Sequence, residues 1–113
     1  MLRFGLFGDT CAPPRGEHAD QRVEELLQEA QLAERVGFDS LLIGEHHQQA
    51  FGLLPSPFLV DTAIALRTER LRVGTGVLLL PLYHPVHVAE DAATLDVISK
   101  GRLILGVGQG YQA

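Results

Sequence analysis

The sequence predicts an α/β fold in which parallel strands alternate with helices, and three observations support this. Short apolar runs typical of buried strands alternate with longer stretches whose apolar residues recur every three or four positions. Glycine and proline mark the boundaries between these segments. The resulting order, strand-helix-strand-helix-strand-helix-strand, is typical of a parallel sheet with right-handed crossovers.

The first half of the chain contains two predicted strands and one helix. Residues 3–7 form the first strand, and the proline- and glycine-rich run 8–17 forms a loop. A helix is expected over residues 20–36, and Gly37 ends it. Residues 39–43 form the second strand.

The next helix is predicted from two adjacent residues. Ser56 is a capping residue type and Pro57 suits the first helical position, so the helix is expected to run to about residue 66. The nearly continuous apolar run 71–80 then predicts a strand covered on both faces. Pro81 ends this strand.

The last two elements follow the same alternation. Pro85 begins a helix that runs to about Ser99, with Gly101 as its expected cap. Residues 103–107 form the fourth strand, and residues 108–111 form its exit loop.

Four strands and three helices do not close a barrel. A (β/α)₈ barrel needs about 250 residues, and an open four-stranded sheet leaves two unpaired edges. We therefore interpret residues 1–113 as one partial domain, the N-terminal half of a TIM barrel that is truncated at its C-terminus. A small open α/β sheet is the structural alternative.

Composition limits the function classes. With 46% hydrophobic and 20% charged residues the chain is typical of a globular domain. A net charge of -5 without a lysine and arginine cluster disfavours nucleic acid as a partner. Cys11 is the only cysteine, which fits a reducing cytoplasm, and neither a signal peptide nor a membrane span is expected.

The most informative motif is Glu45-His46-His47, which directly follows the apolar run 38–44. Ligands of parallel α/β proteins bind beyond the carboxyl ends of the strands, and a carboxylate can tune a neighbouring histidine. Acid-base chemistry is one interpretation, and a loop histidine with a solvated or helix-capping glutamate is another. A metal site with His84 is a third, although adjacent histidines point apart in an extended segment.

Short motifs along almost the whole chain occur in the order and spacing of a known family. Together they make the chain resemble the luciferase-like flavin-dependent monooxygenase family. That group includes bacterial luciferase and alkanesulfonate monooxygenase. The pieces are Arg3-Phe4-Gly5, Gly37-Phe38-Asp39-Ser40, Glu45-His46-His47, Phe51-Gly52-Leu53-Leu54 with Pro57 beyond it, Thr68-Glu69-Arg70-Leu71, Val73-Gly74-Thr75-Gly76-Val77, Leu80-Pro81, His84-Pro85, Ala89-Glu90, Leu95-Asp96, Ser99-Lys100-Gly101-Arg102, Gly106-Val107-Gly108 and Gly110-Tyr111.

The resemblance implies a TIM-type barrel that holds reduced FMN at its C-terminal face and uses molecular oxygen on a small organic substrate. It assigns the catalytic acid-base role to His46, and it implies a cis peptide bond between Gly76 and Val77. The implied cofactor contacts are Glu45, Thr75, Gly76, Val77 and Gln109. A packing role for Thr75 remains an equal alternative.

Glycines 106, 108 and 110 also invite a dinucleotide-binding interpretation. Their spacing and their place on the fourth strand do not fit that motif, so a close approach of the strand end to a flat flavin ring is the better account. The chain departs from bacterial luciferase here, because Gly108 and Gln109 stand where luciferase has a cysteine and an arginine. Glutamine carries no charge, so the phosphate would be anchored elsewhere.

The resemblance also implies partners and leaves alternatives open. A flavin reductase would supply reduced FMN, and the protein would be a homo- or hetero-oligomer. A deazaflavin-dependent hydride-transfer enzyme of the same fold is the second enzymatic interpretation. A truncated or non-catalytic partner subunit is the interpretation outside catalysis.

Overall fold

The computed structural model describes residues 1–8, 10, 18–48 and 54–110. These residues form the predicted parallel sheet, in which the strand order is β1-β2-β3-β4. A short 3₁₀ turn, Leu80–Leu82, follows the third strand. The strands are β1 (Gly5–Gly8), β2 (Ser40–Ile43), β3 (Arg72–Leu79) and β4 (Leu103–Gly108), and the helices are α1 (Ala19–Val36), α2 (Pro57–Arg67) and α3 (Pro85–Ser99).

The first strand was predicted over residues 3–7, but β1 begins two residues later, at Gly5, and ends one residue later, at Gly8. The reason is a side-chain contact at the start of the ladder, where the Phe4 amide donates a hydrogen bond to the Asp39 carboxylate at 2.8 Å. Regular pairing therefore begins between Gly5 and Ser40. Most of the predicted loop 8–17, including Cys11, lies outside the described residues.

Of the predicted helix caps, Ser56 is in the expected position without a side-chain bond, and the cap of α3 is shifted by one residue. Ser56 occupies the N-cap position of α2, but its side chain makes no capping hydrogen bond, so Pro57 and the Ser56 carbonyl define that helix start. At the end of α3 the C-cap is Lys100, with a φ of 59°, and Gly101 follows at a φ of 79°. Gly37 does cap α1 as predicted, at a φ of 94°.

The core lies between one face of the sheet and the helices. Side chains alternate along a strand, so Leu41, Ile43 and Val73 meet the apolar residues of the helix layer. On the opposite face the register aligns Phe7, Leu42, Gly74 and Ile104 across the four strands. This inner face is not covered, and Phe7 is 63% exposed. No helix in the described part of the chain is both long and apolar enough to cross a membrane.

The edge of the sheet where the strands begin is held by two charged side chains. The Glu34 carboxylate accepts hydrogen bonds from the amides of Glu69, Arg70 and Leu71 at 2.5–3.2 Å. The Arg102 guanidinium donates to the carbonyls of Ala65, Thr68 and Leu71 and to other acceptors nearby. Together they fix the α2–β3 connection, and several of the motif pieces therefore have a structural role.

Candidate active site

The Glu45-His46-His47 motif lies where β2 ends, at the edge of the sheet at which the strands finish. Strand β3 finishes beside it, because Ile43 pairs with Thr75 and β3 continues to Leu79. The chain then turns through the 3₁₀ segment Leu80–Leu82 towards α3. The motif is therefore on the ligand-binding edge expected for a parallel α/β fold.

Glu45 has a completely buried side chain that accepts three hydrogen bonds. Its Oε1 atom is 2.6 Å from Nε2 of His47 and 2.8 Å from the hydroxyl of Tyr83. Its Oε2 atom accepts the backbone N–H of Leu79 at 2.7 Å. We call this arrangement of Glu45, His47, Tyr83 and the Leu79 amide the Glu45 clamp. It joins the β2 exit loop to the end of β3 and to the start of α3.

Tyr83 is held in its protonated form within the clamp. Burial raises the pKa of the Tyr83 phenol, and the hydrogen bond to Glu45 and the negative charge of Glu45 raise this pKa further. The hydroxyl group therefore remains a hydrogen-bond donor to the carboxylate throughout the neutral range.

His46 lies on the other side of the loop, towards the inner face. A β-carbon added at Gly44 would lie 3.4 Å from Nε2 of His46 and 2.8 Å from the Phe7 ring. The absence of a side chain at Gly44 thus leaves room for both rings at the end of β2. The ring of His47 contacts Glu45 instead, so the two histidine rings have different neighbours.

The peptide bond between Gly76 and Val77 is cis, which confirms that prediction. Gly76 lies on the inner face, where an added β-carbon would be 3.1 Å from Leu42 and 3.5 Å from the Phe7 ring. Val77 is partly exposed and its side chain lies against Gly108. Phe7, Gly44 and Gly76 therefore form an apolar floor beside His46, and Val77 follows Gly76 in the chain.

Thr75 faces away from this floor. Its side chain is completely buried, and its hydroxyl group donates a hydrogen bond to the Gly106 carbonyl at 2.7 Å. Because side chains alternate along a strand, Thr75 shares the helix-facing side with Val73. This placement supports the packing alternative, and a cofactor contact of Thr75 would have to involve its backbone.

Gln109 and His84, the remaining candidate residues, lie far from Glu45-His46-His47 in the sequence. Gln109 is exposed at the exit of β4, while Tyr111 lies outside the described residues. His84 begins α3, where its Nδ1 accepts the Val86 amide at 3.3 Å, and its ring contacts His87. Among the residues that the structure describes, no three histidine, cysteine, aspartate or glutamate side chains group as a metal site.

Sequence reasoning missed three contributors to this region. Phe7 appears in the sequence only as the last apolar residue of a strand, and Tyr83 and the Leu79 amide carry no motif of their own. The available signal was topological, because the ends of neighbouring parallel strands meet at one edge. That rule brings β1 and β3 beside Glu45-His46-His47 without saying which side chains make contact.

Comparison with known proteins gives matches that cover almost the whole chain. The family model described as luciferase-like monooxygenase matches residues 2–113. The oxygenase component of a flavin-dependent trigonelline monooxygenase from Acinetobacter baylyi is 36% identical over 109 residues, which cover 96% of this chain and 30% of that protein. The chain thus spans about a third of the length of such relatives.

Solved structures show the same relationship. The oxygenating constituent of 3,6-diketocamphane monooxygenase from Pseudomonas putida, in complex with FMN, superposes with a TM-score of 0.90 at 33% identity, covering 99% of this chain and 30% of that one. A coenzyme F420-dependent tetrahydromethanopterin reductase from Methanopyrus kandleri superposes at 0.73 with 29% identity, covering 97% and 28%. The fold is therefore that of the strand and helix repeats of a TIM barrel.

Proposed function

Because the chain belongs to the luciferase-like monooxygenase family, we propose that it forms part of the active site of a flavin-dependent monooxygenase. The enzyme would use reduced FMN and molecular oxygen to oxidise a small organic substrate. The observation that carries this proposal is the position of His46 beside the apolar floor at the strand ends. The FMN complex of the diketocamphane monooxygenase supports the choice of cofactor.

The residues of the floor fit a flavin. A planar tricyclic ring needs an apolar surface, and Gly44 and Gly76 leave room for the Phe7 ring, which lies close to both glycines and is 63% exposed. Phe7 and Val77 supply apolar contact beside them. Reduced FMN, when bound, supplies the electrons that activate oxygen. Gln109 could donate a hydrogen bond to the cofactor but adds no positive charge for a phosphate.

His46 is the residue that we assign to proton transfer. Imidazole exchanges a proton readily near neutral pH. Nε2 of His46 and the Phe7 ring both lie close to Gly44, at the end of β2. The ring can therefore hold or release a proton at a ligand that rests on the floor. Glu45 and Thr75 contribute indirectly, because their polar atoms are bonded within the protein.

The proposal is tested by flavin titration of the full-length protein without oxygen. We expect reduced FMN to bind at micromolar concentration, followed by oxygen uptake and substrate oxidation when a flavin reductase is supplied. Failure to bind either FMN or a deazaflavin at that concentration would refute the assignment of function.

The role of His46 is tested by the variant His46→Gln. The matched control is His87→Gln, which changes an exposed histidine of α3. We expect the first variant to lower kcat by roughly 100-fold, within the usual range for loss of an acid-base group, with flavin affinity little changed. The control should keep wild-type turnover. Equal activity of the two variants would remove His46 from the proposed mechanism.

A deazaflavin-dependent hydride-transfer enzyme is the second candidate. The similarity to an F420-dependent reductase supports it, although the TM-score of 0.73 is below the 0.90 of the FMN-containing monooxygenase. Parallel titrations with reduced FMN and reduced F420 separate the two candidates. Turnover that needs no oxygen and proceeds only with F420 would favour this alternative.

The partners follow from the same proposal. The relative that is named an oxygenase component supports a separate flavin reductase, and exposed apolar residues on α2 and α3, such as Leu59 and Val97, support an oligomer. We place the protein in the cytoplasm, where its single cysteine would stay reduced. A non-catalytic partner subunit would bind a second chain but would show no turnover in the assay above.

A further inference from the structure

The geometry points to Glu45 as a positioning residue that, through Tyr83 and His47, fixes the direction of the His46 ring. This inference rests on the proposed function of His46. It gives Glu45 a task different from the cofactor contact expected from the sequence. It also adds Tyr83 to the residues on which turnover depends.

The clamp ties three separate segments of the chain to one carboxylate. Leu79 is 34 residues from Glu45 in sequence and Tyr83 is 38 residues away, so neither contact is a local turn. The bond to the Leu79 amide fixes the carboxylate to the backbone at the end of β3. The second oxygen then receives Tyr83 and His47. The β2 exit loop is therefore attached to the sheet itself.

His46 lies between two residues that this clamp holds. Glu45 and His47 bond to each other, so the chain is held immediately before and after His46. The ring of His46 lies away from this bond, over Gly44 and beside Phe7. A rotation of the loop that moved His46 off the floor would break at least one bond of the clamp.

Because Glu45 is buried, the loss of any one of its hydrogen-bond donors should disturb the clamp. A completely buried carboxylate is costly unless donors surround it. Both oxygens of Glu45 are already bonded to groups of the protein, and Tyr83 is a donor that no motif of the family resemblance contains. Removal of the Tyr83 hydroxyl alone leaves the carboxylate short of one donor while the aromatic ring remains.

The test uses the full-length protein with Tyr83→Phe as the principal variant, because it preserves the packing of the ring. Glu45→Gln is the second variant, since it keeps the shape but removes the charge. Glu90→Gln, which changes an exposed carboxylate of α3 outside the clamp, is the matched control. Two readouts are needed: the imidazole NMR signals of His46 in histidine-labelled protein, assigned with His46→Gln, and kcat measured beside flavin affinity.

We expect Tyr83→Phe to shift the His46 signals and to lower kcat about 10-fold, as for the loss of one hydrogen bond to a charged group, with flavin affinity changed less than about twofold. Glu45→Gln should shift the His46 signals further and lower kcat more. Glu90→Gln should change neither the signals nor kcat. Because the NMR readout needs no cofactor, it judges the clamp even if flavin fails to bind and the proposed function is refuted. Unchanged His46 signals in a folded Tyr83→Phe protein would overturn the inference.

Discussion

Asp61 is a carboxylic acid inside the helix layer whose two oxygen atoms have no hydrogen-bond partner among the described residues. It lies on the buried side of α2, one turn before Ile64 and Ala65 of the core. Burial raises the pKa of this carboxyl group from 3.8 to about 8. Asp61 is therefore protonated at neutral pH in the folded protein and ionised in the unfolded chain.

This difference predicts that Asp61 makes stability depend on pH. Between pH 3.8 and about 8 the folded state holds one proton more than the unfolded state, so the free energy of unfolding falls as pH rises. Asp61→Asn removes this dependence and should stabilise the protein at pH 7 by roughly 4 kcal/mol, since pH 7 lies about three pKa units above 3.8 and each unit is worth about 1.4 kcal/mol. Urea unfolding of both proteins between pH 4 and 9 measures the effect.

The exposed Asp20, at the start of α1, provides the control for this measurement. In Asp20→Asn, which keeps Asp61, the fall in stability as pH rises should persist. Parallel slopes for wild type and Asp61→Asn would show that the Asp61 carboxyl group is not buried in a neutral form.

At the scale of elements, the α2–β3 connection depends on Arg102. Its guanidinium group donates to four carbonyls and to the Thr68 hydroxyl. Two of these carbonyls, those of Ala65 and Thr68, lie at the end of α2, where carbonyls lack helical partners. Arg102→Lys keeps the charge but cannot reproduce this planar set of donors. We expect a loss of about 2–3 kcal/mol in the free energy of unfolding, measured by urea denaturation.

Arg35→Lys is the matched control, because Arg35 is exposed in the last turn of α1. Its effect should stay within about 0.5 kcal/mol. A loss of the same size in both variants would mean that the specific geometry of Arg102 contributes little.

The elements themselves could largely be predicted from the sequence, because each has a local signal. Gly37 ends α1, Pro57 and Pro85 begin helices, and the apolar run before Pro81 marks β3. The missing side-chain hydrogen bond of Ser56 and the C-cap at Lys100 could not be predicted, since a cap depends on which backbone groups already have partners.

The site could be predicted only in part. Its location follows from the position of Glu45-His46-His47 after an apolar strand, and the family resemblance gave the cis bond at Gly76. The partners of Glu45 could not be predicted, because contacts across more than 30 residues depend on how far β3 extends before it turns. The same limit applies to Thr75, whose side of the sheet depends on the exact register.

At the scale of the whole molecule, the 113-residue chain leaves apolar surface uncovered. Phe7 is exposed on the inner face, and on β4, at the edge of the sheet, Leu105 and Val107 are 43% and 47% exposed. An unpaired strand edge with apolar side chains is a site for association with other chains. The domain would bury these residues only against further strands and helices.

We therefore predict that the isolated 113-residue chain self-associates. Its apparent mass in size-exclusion chromatography should increase with concentration, and it should bind a dye specific for exposed apolar surface. Val107→Lys places a charge on the β4 edge and should reduce the association. A sharp, cooperative unfolding transition of a monomeric wild-type chain would contradict this prediction and favour a small open sheet.

The Glu34 and Arg102 contacts lie at one edge of the sheet, while His46 and the Glu45 clamp lie at the opposite edge. For protein engineering this separation means that a combinatorial library can be confined to one edge. Exposed positions such as Leu82 at the strand ends could be randomised to change substrate preference. Clones from such a library should keep the Glu34 and Arg102 contacts, because those residues lie at the other edge.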